Sequence, residues 1–155
     1  MKIINAIPKF GPELSEIQVR EFLNSKLNLQ LATLDSKGEP CIHPVWYLFK
    51  NEKLYVATSK KSKKIKNVIK NPLVYYSIDD ENMPYLGVKG KATVRFIEDI
   101  NSNLEIAEEI ILKYMGSLEN DIGKHIIGQI KDGTEVIMEL TPKFYSAWSF
   151  SNLVR

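Results

Sequence analysis

Residues 29–49, LQLATLDSKGEPCIHPVWYLF, decide the fold. Leu29–Leu34 is a short apolar run, and Asp35-Ser-Lys-Gly-Glu39 is a turn in which Gly38 can take positive φ. Residues 41–49 are rich in β-branched and aromatic side chains. Two such runs about a tight polar turn predict a β-hairpin. Pro44 sits inside the second run and has no N–H to donate, so it belongs at a sheet edge or at an interruption. Lys50-Asn-Glu-Lys53 then makes another polar turn before the strand Leu54–Thr58.

The period changes on either side of these hairpins. Over residues 13–25, Val19, Phe22, Leu23 and Leu27 recur at helical spacing, and Ser15 with Gln18 fits a capping box. Residues 62–70 read as a helix with Ile65, Val68 and Ile69 on one face, ended by Asn71-Pro72. Leu73–Ile78 is a strand, Asp79–Pro84 a turn, and Tyr85–Phe96 a longer strand with Gly87 and Gly90 where a bulge could sit. Residues 102–115 form an amphipathic helix, and 121–131 a helical stretch that Gly123 and Gly128 weaken. Thr134–Leu140 and Phe144–Phe150 are two further strands.

Six or seven short strands joined mainly by hairpins favour an antiparallel sheet closed into a barrel over a parallel α/β sheet. The expected fold is therefore mainly β with flanking helices. The 155 residues predict one domain, with 1–28 as a helical lead-in and 29–150 as the barrel. Apolar content of 44% with a net charge of only +2 excludes a disordered chain. Cys41 is the one cysteine, so no internal disulfide and no zinc cluster are expected. No apolar run suits a signal peptide or a membrane span, which predicts a cytoplasmic protein. There is no glycine-rich nucleotide motif and no repeat.

Charge is unevenly spread. Lys60, Lys61, Lys63, Lys64, Lys66 and Lys70 fall within a segment that has no acidic residue; without them, acidic residues outnumber basic ones. Such a patch asks for an anion. A strand ends at Thr58 and a helix begins near Ser62, so unpaired N–H groups, two hydroxyls and the charges of Lys63 and Lys64 converge on one turn. Lysine is a poor neighbour for a helix N-terminus, and a bound phosphate would relieve that conflict. A solvated lysine-rich helix face is the alternative reading. A nucleic-acid footprint is a third, but one short patch on an acidic body is small for it, and no nucleic-acid partner is expected.

His43-Pro44-Val45-Trp46 is the second candidate segment. His43 is the candidate acid or base, yet no Asp, Ser or Cys stands at a motif spacing from it, and a hydrogen-bonded strand histidine satisfies the same pattern. Trp46 and Trp148 suit either the core or the wall of a planar ligand site.

These pieces carry a resemblance. Residues 29–150 resemble the pyridoxamine 5′-phosphate oxidase-like family of FMN-binding split barrels. The shared pieces run in order: Leu31-Ala-Thr-Leu34, His43-Pro-Val-Trp46, Thr58-x-x-x-Ser62-x-Lys64-x-x-Asn67, Asn71-Pro72, Gly90-Lys-Ala92, and Thr141-Pro142 with Trp148. The resemblance implies a Greek-key split barrel that forms a homodimer, with a flavin between subunits. It assigns the FMN phosphate to Thr58, Ser62, Lys63 and Lys64, and the flavin ring edge to His43, Pro44, Val45 and Trp46. Tyr85 and Trp148 would approach the flavin of the other subunit.

True pyridoxamine phosphate oxidases carry an Arg-Gln pair where this chain has Pro84-Tyr85, and an Arg-x-His motif where Trp148 is followed by Ser149-Phe-Ser-Asn152. Vitamin B6 oxidation is therefore not expected. The expected activity is hydride transfer between FMN and a small molecule. The alternatives are a deazaflavin-dependent reductase and a non-catalytic flavin- or haem-binding protein.

Overall fold

The computed structural model describes residues 1–9 and 13–151. In chain order the elements are β1 (Ile3–Asn5), α1 (Glu16–Leu23), β2 (Leu29–Leu34), β3 (Pro40–Val45), β4 (Leu48–Lys50), β5 (Lys53–Ser59), α2 (Lys63–Lys70), β6 (Leu73–Asp80), β7 (Leu86–Phe96), α3 (Ile100–Met115), α4 (Asp121–Lys131), β8 (Glu135–Pro142) and β9 (Tyr145–Ser149). The strands form one sheet in the order β3-β2-β6-β7-β8-β5-β4. All these neighbours pair antiparallel. β9 pairs with the first half of β7 and, in parallel, with β1. The sheet curls into a split barrel, mainly β with flanking helices. No described helix is long and apolar enough to cross a membrane.

Two expectations need correction. The described strands number nine rather than six or seven, because β1 adds a short strand ahead of the expected set and 41–49 is two strands. No bulge interrupts β7: its register with β6 runs without a slip from Leu86↔Asp80 to Thr93↔Leu73. Gly87 and Gly90 serve close approach instead. A Cβ on Gly87 would fall inside the Trp148 ring, and one on Gly90 would meet the Phe144 carbonyl and the Tyr76 ring. The 121–131 stretch does form a helix despite its glycines, because Asn120 caps it and Gly123 is buried against Ile111.

Two cores share the sheet. Inside the barrel, Leu29, Leu31, Val56, Ile78, Val88, Met138 and Leu140 pack with Val19, Phe22 and Leu23 of α1. The Ser15–Gln18 capping box opens that helix as expected. On the outer face of β4, β5 and β8, Leu48, Tyr55 and Ile137 meet Ile106, Ala107 and Ile110 of α3 and Ile130 of α4. The β4–β5 turn has Asn51 and Glu52 at φ of 52° and 58°, the pattern of a two-residue hairpin turn that matches strand twist. The Tyr145 hydroxyl donates to the Glu52 carbonyl at 2.6 Å and holds that turn against β9.

Candidate functional site

The expected strand 41–49 breaks because helix α3 takes its backbone. The Tyr47 N–H donates to the Tyr114 hydroxyl at 3.3 Å, and the Tyr47 carbonyl accepts from the Lys113 ammonium at 3.1 Å. Those groups are no longer available to a sheet ladder. The Tyr114 hydroxyl in turn donates to the Leu27 carbonyl at 2.8 Å. Trp46 lies flat on the Tyr114 ring, 4.8 Å between centroids and 4° from parallel. Pro44 does lie on an edge strand, since among the described residues β3 pairs only with β2. The chain from Pro44 to Trp46 thus forms one wall of an open groove of about 420 Å³.

The opposite wall is the end of β5 and the start of α2, with Thr58, Ser59 and Lys64, joined by Asn28 and Glu135. Ser62 is the N-cap of α2, but its side chain makes no capping bond. Its hydroxyl stands 3.5 Å from that of Thr58 instead. The Lys64 ammonium donates to the Thr58 hydroxyl at 3.0 Å. The first turn of α2 has no acidic residue, so no side chain of its own offsets the positive end of the helix. Burial pushes the Lys64 ammonium below its usual range, and Glu135 opposes that shift only through space. A cation half-withdrawn from water, with no salt-bridge partner among the described residues, favours an incoming anion. The donors present (a hydroxyl pair, an ammonium and helix N–H groups) fit a phosphate.

Not every expected residue joins this groove. Lys63 turns away: it is exposed and lies 3.7 Å from Asp35. His43 does not line the groove. Its Nε2 is 3.1 Å from the Thr33 hydroxyl, which also accepts from the Asn67 amide at 2.9 Å. That chain ties β3 to β2 and α2, and it explains why Asn67 is buried inside a lysine-rich helix. Burial and the charges of Lys64 and Lys63 lower the His43 pKa and so favour the neutral ring. Tyr85 and Trp148 lie elsewhere in the subunit. Tyr85 packs edge-on against Phe150, and Trp148 covers Gly87 with the Lys89 ammonium 5.7 Å from its ring.

Sequence reasoning missed Asn28, Glu135 and Tyr114. Tyr114 carries a helical-period signal, but that signal reads only as core. Nothing local tells that its hydroxyl would bridge two loops.

Comparison with known proteins decides the family. The sequence profile of pyridoxamine 5′-phosphate oxidase matches residues 15–148. The chain belongs to the pyridoxamine 5′-phosphate oxidase family. The same split barrel recurs in a conserved hypothetical protein from Mycobacterium tuberculosis, 21% identical, at a TM-score of 0.80 over 94% of this chain and 90% of that one. An F420 reductase is 23% identical, with a TM-score of 0.65 over 82% of this chain and 94% of that one. A FAD-binding protein from Mesorhizobium loti is 18% identical, with a TM-score of 0.66 over 88% and 95%. No curated protein matches the chain. These likenesses establish a shared fold.

Proposed function

We propose that the protein is a cytoplasmic, homodimeric, flavin-binding oxidoreductase whose first-choice cofactor is FMN. The observation that carries this reading is the Thr58–Ser62–Lys64 cluster at an uncapped, acid-free helix N-terminus, opening into a groove walled by Pro44, Val45 and Trp46. Ser62 and Thr58 would donate hydroxyl bonds to the phosphate, and Lys64 would supply the full charge. Lys63 would strengthen the local field from outside the groove. The backbone of Pro44 to Trp46 would meet the polar edge of the ring system. Trp46 is already held flat by Tyr114, so binding would cost it little rotamer freedom. When bound, the flavin would supply the hydride chemistry. The protein's own part is to hold the phosphate, orient the ring and exclude water from one side. His43, committed to Thr33, acts on this reading as a positioning residue that sets β3 against α2.

The dimer draws support from the outer face of β3, β2 and β6. Ile42, Ala32 and Tyr75 lie in one cross-strand row, and Ile42 and Tyr75 are 69% and 53% exposed. A second copy would cover this apolar row and would bring Tyr85 and Trp148 toward a groove that they do not reach in their own subunit.

The test is an absorbance spectrum of the purified protein followed by titration with FMN. Saturable binding is expected, and Lys64→Ala should weaken it by roughly 1.5–3 kcal/mol, the worth of a charge-assisted contact. Equal affinity in the variant would overturn the assigned phosphate site. A second reading, a deazaflavin-dependent reductase, is favoured by the exposed Lys60, Lys61 and Lys66, which could meet a longer anionic tail. Tighter binding of a deazaflavin coenzyme than of FMN, with Lys61→Ala harming only the former, would select it.

A further inference from the structure

Glu135 stands in the groove proposed for a phosphate, and its charge has the wrong sign for that ligand. The β5–β8 register sets it opposite Ser59, and the Lys60 N–H donates to the Thr134 carbonyl at 2.9 Å. The start of β8 is thereby tied to the turn that leads into Ser62. Of the residues lining the groove, only Lys64 and Glu135 carry charge, and the two charges cancel. They act on each other through space, with no hydrogen bond between them. Burial lowers the Lys64 ammonium and raises the Glu135 carboxyl, so each leans toward its neutral form. Glu135 Oε2 is buried without a hydrogen-bond partner among the described residues, which makes the ionised carboxylate costlier still. The other charged groups around Glu135 are His125 from α4, and Lys60 and Glu98, which line a neighbouring cavity with it.

A phosphomonoester carries about −1.5 to −2 charges at pH 7, with a second pKa of about 6. Held by Thr58, Ser62 and Lys64, its dianion would share the groove with a carboxylate, and like charges brought together are costly. One proton, on the carboxyl or on the phosphate, removes that conflict and supplies an O–H donor between two oxygens. We propose that Glu135 sorts phosphate ligands by charge: the groove takes a singly charged phosphate, either a phosphodiester or a phosphomonoester sharing one proton with Glu135, and resists the dianion. This inference rests on the phosphate site at Thr58, Ser62 and Lys64, and it makes Glu135 the residue that sets specificity there.

The experiment is calorimetric titration of the full chain with FMN at about pH 6 and about pH 8, with riboflavin as the same ring without a phosphate. Buffers of different ionisation enthalpy report the protons taken up on binding. The wild type is expected to bind FMN about tenfold more tightly at the lower pH, with uptake of about one proton. Glu135→Gln should tighten FMN about tenfold at the higher pH, abolish the uptake and reverse the trend, because Lys64 alone prefers the dianion. Riboflavin should show neither the trend nor the response to the variant. FMN binding that tightens as pH rises in the wild type, or a response to Glu135→Gln shared equally by riboflavin, would overturn the proposal. Inorganic phosphate, followed by its phosphorus NMR line, separates this inference from the flavin reading. If FMN fails to bind but phosphate shows the same pH trend and the same response to Glu135→Gln, the flavin reading falls and the charge sorting stands. Phosphate that shows neither, or does not bind, overturns the sorting as well.

Discussion

On β5 and β8, Leu54, Tyr55 and Val56, and then Val136 through Leu140, are buried one after another, whereas on β3 and β6 burial alternates residue by residue. The difference follows from what lies on each side. The first pair has the barrel core beneath and the α3–α4 hairpin above. The second has only the core, and its outer face carries Ile42 and Tyr75 into solvent. A strand with no alternation needs two covers, and one that alternates needs one. Both halves meet the candidate site: the covered half contributes Thr58 and Glu135, the open half Pro44 and Val45.

The sharpest break in this comparison is Ile137→Ala against Ile42→Ala. Ile137 is fully buried under α3 and α4, so its truncation should cost about 2–5 kcal/mol in urea unfolding. Ile42→Ala should leave monomer stability within about 0.5 kcal/mol. Equal losses would mean that the open half is as tightly covered as the other.

Next comes the rim of the covered half, where ions replace the helices. Glu139 is 3% exposed and accepts from Arg95 at 2.6 Å and Lys53 at 2.8 Å. Arg95 first, then Lys53, pull its carboxyl down to about 2, against the cost of burial. Because the folded value lies below the unfolded one, its stabilisation is present above pH ~4.5 and lost as pH falls toward about 2. Glu139→Gln should therefore cost on the order of 1–3 kcal/mol at pH 7, and the gap from the wild type should close across that window. A gap that stays constant down to pH 2 would refute the assignment.

For the open half, if the proposed dimer uses this face, Ile42→Lys should raise its dissociation constant about tenfold or more in sedimentation equilibrium, with the monomer fold intact. An unchanged dimer would move the interface to another face. The smallest effect belongs to Lys113, whose ammonium lies 3.6 Å from the Tyr47 ring centroid and is lowered to about 8 by burial. A lysine depressed in the folded state gains stability as pH rises from about 8 toward its unfolded value of 10.5. With partial exposure discounted, that gain is of order 1 kcal/mol, and Lys113→Met should flatten it.

How much of this was legible depended on range. The hairpin pattern and Gly38, the capping box at Ser15, and the lysine patch at an acid-free helix start are all written in neighbouring residues, where dihedral preference, hydrophobic period and local charge act. Neighbouring residues therefore specify an antiparallel, mainly β chain with a basic, acid-free helix start after Thr58. Tertiary structure alone decided that residues 41–49 would be two strands, because Tyr114 and Lys113 lie 67 and 66 residues from the Tyr47 backbone groups they take. It also decided that Gly87 would make room for Trp148 rather than bulge, and that His43 would bond Thr33 and stay out of the groove. Contacts across the sheet choose among conformations that local sequence leaves equally open, since register and packing are set by surfaces that meet only after the chain has folded.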